Sequence, residues 1–125
     1  METTESEIQW AGVPFSALFH HDARLVRRPG LFAFVHRGVG EDRTLLFVDH
    51  ADCIASLAIP SHAMWSEARW HGMNEVHVCL TARERIDRLQ LKAHLLRRLQ
   101  PPLNRLADER ASLGVRSGVF RRAAG

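Results

Sequence analysis

The chain has 125 residues, 46% hydrophobic and 25% charged, with a formal net charge of +3 and a sequence pI of about 9.6. These proportions are those of a globular domain of ordinary size and exclude a disordered chain, and no apolar run approaches the roughly 20 residues needed to cross a bilayer. The two cysteines, Cys53 and Cys79, form neither a disulfide framework nor a zinc-type spacing. Together with the acidic, polar start METTESEIQW, they lead us to expect a cytoplasmic protein without a membrane partner.

Residues 1–13 read as a lead-in that Trp10 anchors to the body. Phe15 to Leu25 reads either as a short helix or as an irregular layer. Arg27-Arg28-Pro29-Gly30 marks a turn. Leu31 to Arg37 is rich in aromatic and branched residues, as is Thr44 to Asp49, and the glycine-containing stretch Gly38 to Asp42 lies between them. The pattern predicts an antiparallel hairpin.

The period then changes. Asp52 to Leu57 suits a short helix that Pro60 ends. Ser61 is a suitable N-cap for a second helix carrying Met64, Trp65 and Ala68, with Gly72 as its stop. Glu75 to Leu80 alternates as a third strand, with Val76, Val78 and Leu80 on one face and His77 and Cys79 on the other. Thr81 and Glu84 have the spacing of a capping box. Ile86, Leu89, Ala93, Leu96 and Leu99 predict the buried stripe of a long helix that stops at Pro101-Pro102. Residues 105–113 suit a short amphipathic helix, followed by a basic tail from Val115 to Gly125.

The predicted class is α/β (α+β), a small mixed three-stranded sheet flanked by helices. Three segments are expected: an extension packing on the body over 1–28, the main domain over 29–104, and a C-terminal helix and basic tail over 105–125.

The order of these elements resembles the GIY-YIG nuclease family. Pro29-Gly30-Leu31-Phe32 is similar to that family's first motif, Phe47-Val48-Asp49 to its second, and Pro101-Pro102-Leu103-Asn104 to the stop after its long helix. His62-Ala63-Met64-Trp65, with Glu67-Ala68 and Gly72, is similar to the small bacterial members. The resemblance covers residues 29–104 and implies a nuclease site at Phe32, Phe47, Leu57, Lys92 and Asn104. Family chemistry needs a glutamate-held divalent metal such as magnesium, tyrosine hydroxyls at the water, and an arginine against developing negative charge. Here those positions carry Lys92, Phe32, Phe47 and Leu57, and the chain has no tyrosine. An ammonium repels a cation. The resemblance thus implies a site that no longer cuts, with no cofactor.

Four further readings follow, the third of them from the resemblance. Asp49, His50, Asp52 and His62 are a candidate metal set for a rearranged, still active endonuclease. Arg85, Arg88 and Lys92, along one edge of the long helix, are candidate contacts for the phosphates of DNA or RNA. Asp49 replaces a family glycine while Lys92 replaces its glutamate, so the two are expected to pair. Trp10, Phe15, Phe19, Trp65, Trp70 and Phe120 are numerous enough to offer a protein-binding surface, a homodimer being one candidate.

Overall fold

A computed structural model describes residues 7–124, and side chains as far as residue 113. Its elements are β1 (Glu7–Trp10), β2 (Val13–Phe19), a 3-10 segment (His20–Leu25), β3 (Gly30–Arg37), β4 (Arg43–Ala51), α1 (Ile54–Leu57), α2 (Trp65–Trp70), β5 (Glu75–Cys79), α3 (Arg85–Leu99) and α4 (Pro102–Ala124). The sheet has five strands in the order β1-β2-β5-β3-β4, and every neighbouring pair is antiparallel. The expected class of mixed helix and sheet holds, but the sheet is neither mixed nor three-stranded.

The two extra strands come from the segment read as lead-in and irregular layer. Pro14 interrupts the alternation of β2, and the β1–β2 turn is Ala-Gly, not the Asn-Gly or Asp-Gly that usually announces a hairpin. Ala11 and Gly12 both have positive φ (50° and 84°), as a two-residue primed turn requires. Residues 7–19 therefore belong to the sheet itself.

Both faces of the sheet are covered. On the first, Phe32, Phe34, Leu46 and Phe47 pack with Ile54 of α1, Trp65 and Ala68 of α2 and Leu103 of α4. On the second, Val13, Phe15, Leu31, Ala33, Val35 and Val48 meet Leu95 of α3. A bulge at Leu46, where Phe34 opposes Phe47 and Val35 opposes Leu45, turns Leu46 and Phe47 to the same face. Gly30 opens β3 because a side chain there would collide with the backbone carbonyl of Cys79 on β5.

The helix ends differ from the sequence expectation. Ser61 does not cap α2; Met64 precedes its first turn, and the Met64 amide donates to His62 Nδ1 at 3.0 Å. Thr81 and Glu84 form no capping box, since α3 begins only at Arg85 with no side-chain cap. The buried face of α3 carries Arg88 and Leu95 with Leu91, Leu96 and Leu99 partly covered, whereas Ile86 and Leu89 are exposed. Gln100, in a left-handed conformation (φ 47°), ends α3, and Pro102 is the first residue of α4. That helix takes in Asn104 and continues to Ala124, replacing the short helix and separate tail. The side chain of Phe120 lies outside the described residues.

Candidate functional site

β4 is an edge strand, and an open edge carries backbone donors and acceptors that need partners. At Val48 those partners are the two ends of one side chain: the Val48 amide donates to Asn104 Oδ1 and Asn104 Nδ2 donates to the Val48 carbonyl, each at 2.8 Å. Asn104 is buried and lies in the first turn of α4. Its amide therefore ties α4 to the rim of the sheet.

One residue further along, Lys92 of α3 donates to Asp49 Oδ1 at 2.9 Å, and the same oxygen accepts from the His50 amide at 2.7 Å. The side chains of Lys92 and Asp49 are each 27% exposed. Phe32 is the direct partner of Asp49 in the β3–β4 register. Phe47, Asp49, Lys92, Asn104 and Phe32 thus converge on three consecutive residues of β4, though they come from three widely separated stretches of sequence. Leu57 does not share this arrangement and is 40% exposed in α1.

The phenylalanines on the aromatic side of the site are buried. Phe34 stacks on Phe47, with centroids 5.4 Å apart, and His62 stands edge-on to Phe32, Phe34 and Phe47 at 5.3–5.7 Å. His62 thus packs against all three phenylalanines. Burial lowers its proton affinity, partly offset by the negative charge of Asp49. Its Nδ1 accepts from the Met64 amide, so the neutral ring keeps its proton on Nε2.

Arg88 departs from the expected exposed basic edge. It is 2% exposed, because its guanidinium is folded inward onto three partners: the Arg83 carbonyl, Asp52, and His50 Nδ1 at 3.4 Å. A guanidinium committed in this way is not free to grip a phosphate. Arg85 remains exposed. His50 is held neutral chiefly by burial, with Lys92, Arg88 and Arg85 adding to the effect against the pull of Asp49.

The four candidate metal ligands are each turned to a protein partner: Asp49 to Lys92, Asp52 and His50 to Arg88, and His62 to Met64. Among the described residues, no three His, Cys, Asp or Glu side chains are grouped to hold a metal ion. Nor is any described helix long and apolar enough to cross a membrane.

The sequence reading missed a polar chain on the second face of the sheet. Trp10 Nε1 donates to His77 Nδ1 at 2.9 Å, His77 Nε2 bonds Glu75 Oε1 at 2.9 Å, and Arg43 donates to the same carboxylate at 2.9 Å. Trp10 is the anchor that the sequence suggested, but its partner lies 67 positions away and no local pattern announces it. The expected aromatic surface is only partly present. Phe15 and Trp65 are buried, while Phe19 (54%) and Trp70 (84%) are exposed.

Comparison with protein-family models, curated proteins and solved structures returned no match to this chain.

Proposed function

We propose that this chain is a nuclease-like domain of the GIY-YIG kind that no longer cuts and instead binds nucleic acid. The observation that carries the reading is the Lys92–Asp49 pair at 2.9 Å. The family resemblance assigns these two positions to a metal-binding glutamate and a glycine. A lysine that replaces the ligand, neutralised by an aspartate that replaces the glycine, removes the cation's seat and fills it with an internal ion pair. The convergence of Phe32, Phe47, Lys92 and Asn104 around Val48 and Asp49 supports the same reading, since residues of one ancestral site should remain together after their chemistry is lost. So does the succession of hairpin, two short helices, strand and long helix from β3 to α3.

With an ammonium at the position assigned to the metal ligand, phenylalanines at the two hydroxyl positions and a leucine at the arginine position, the chemistry that the resemblance implies lacks its side chains. What remains is binding. The turn before β3, the β4–α1 junction and the β5–α3 loop meet at one end of the sheet: the Ile54 amide donates to the Arg28 carbonyl at 3.0 Å, and Arg88 links Arg83 to Asp52. Arg27, Arg28, Arg83 and Arg85 are exposed there. Their forked donors suit phosphate oxygens. The contact surface therefore moves from Arg88 and Lys92, which hold internal partners, to this rim.

Fluorescence anisotropy with labelled single-stranded DNA, duplex DNA and RNA tests the binding. Affinity should fall steadily as salt rises from about 50 to about 200 mM, and Arg83→Ala/Arg85→Ala should weaken it and flatten the salt dependence. No binding at low salt, or binding that the double variant leaves unchanged, contradicts the proposal.

A further inference from the structure

We propose that His77 is an acid-sensitive latch for the N-terminal strand β1, opened when its ring takes up a second proton. The argument rests on donors and acceptors. An indole N–H can only donate, so His77 Nδ1, 2.9 Å from Trp10 Nε1, must be the acceptor and carry no proton. The single ring proton is therefore on Nε2, directed at Glu75 Oε1. His77 is fully buried, and both of its nitrogens are used.

The charged groups around it come from several elements. Glu75 lies on the same strand. Arg43 of β4 donates to Glu75 at 2.9 Å, Arg37 of β3 lies 3.7 Å from it, and Glu41 bonds Arg43 from the hairpin turn. The neighbours of His77 on β2 and β3 are Ala17 and Ala33, which carry no charge. On α3, His94 Nε2 lies 3.0 Å from the carbonyl of Ala11, in the β1–β2 turn, and can donate to it in either protonation state.

A proton added at Nδ1 places N–H against N–H, and the bond to Trp10 is lost. The bond to Glu75 survives and is strengthened, because the new imidazolium faces a carboxylate. The charged ring therefore stays in place while Trp10 is expelled. Among the described residues β1 is four residues long and is paired with β2, and the Trp10–His77 bond ties its last residue to β5. Burial lowers the proton affinity of His77 more than Glu75 raises it, so the latch is closed at neutral pH. Release uncovers the outer edge of β2, giving a sheet edge that is closed at neutral pH and open in acid.

The test is NMR on the full-length chain, following the Trp10 indole N–H, the His77 ring nitrogens and backbone amide exchange from about pH 8 to about pH 5. Trp10→Phe assigns the indole signal. The expected result is a Trp10 signal that moves in step with His77 protonation, and an exchange protection of β1 amides that falls about tenfold or more while β3 keeps its own. His77→Gln retains an acceptor and a donor without titrating, so its Trp10 signal should not move. Trp10→Phe should leave β1 poorly protected at every pH. Four results would overturn the proposal: a His77 ring that stays neutral throughout, a Trp10 signal that ignores His77 protonation, β1 and β3 losing protection together, or a Trp10→Phe variant that keeps the wild-type pH response.

Discussion

Lys92 on α3 reaches Asp49 on the edge strand β4, closing a 2.9 Å ion pair between residues 43 positions apart. The pair is partly exposed, so its net worth is set by solvent screening as much as by its length. In a double-mutant cycle with Asp49→Ala and Lys92→Ala, denaturant unfolding should give a coupling of about 1 kcal/mol in favour of the pair. Additive losses would show that the two side chains are neighbours without being partners, and the charge-swap argument would fail with them.

Asn104 should matter more to stability than its place in a first helical turn suggests. Asn104→Ala leaves the Val48 amide and carbonyl without partners at a covered edge, and should cost about 2–4 kcal/mol. Asn104→Asp keeps an acceptor for the Val48 amide but sets a carboxylate against the Val48 carbonyl, so it too should destabilise. Chemical denaturation of the three proteins checks this, and a loss below about 0.5 kcal/mol for Asn104→Ala would contradict it.

Acid should unfold the chain in two steps of cause. His20, His50, His62 and His77 all bind protons less readily when folded, burial being the largest cause in each. The unfolded chain therefore binds more protons below about pH 6.5, and stability must fall as pH drops through that value. Glu75 is shifted down by its bonds to Arg43 and His77, against burial, so its contribution is present above about pH 4.5 and is lost as the pH falls further. Thermal melts at closely spaced pH values should show stability declining from about pH 7 to about pH 5. A flat profile over that interval would contradict the assigned neutral histidines.

The buried face of α3 gives a sharp contrast between two apolar residues. Leu95 is fully buried and Ile86 is 62% exposed. Leu95→Ala should cost about 3 kcal/mol, whereas Ile86→Ala should stay within about 0.5 kcal/mol. A larger loss for Ile86→Ala than for Leu95→Ala would mean that the helix presents the face read from sequence.

That contrast shows where the sequence was legible. The hairpin of β3 and β4 follows from its aromatic and branched residues, which both layers of the core bury, β5 from alternation, and the existence of α3 from helical period. The α3 face was misread because Arg88 lies at its centre. A stripe drawn through apolar positions avoids an arginine, yet this one is buried by bonds to Arg83, Asp52 and His50. β1 and β2 were missed because Pro14 and the Ala11-Gly12 turn give none of the usual hairpin signals. The Lys92–Asp49 pair was legible through the family resemblance, which set the two positions side by side. The Trp10–His77–Glu75–Arg43 chain was not, since it is assembled by strand order and leaves no trace in local spacing.

We propose that the Lys92–Asp49 pair, 2.9 Å long, stands where a catalytic metal centre has been lost. The most direct measurement incubates the purified chain with plasmid, single-stranded DNA and RNA in magnesium and in manganese, beside a Lys92→Ala variant. We predict no cleavage of any substrate by either protein in either metal. Metal-dependent cleavage by the wild type that the variant lacks would contradict the account and give Lys92 a catalytic role.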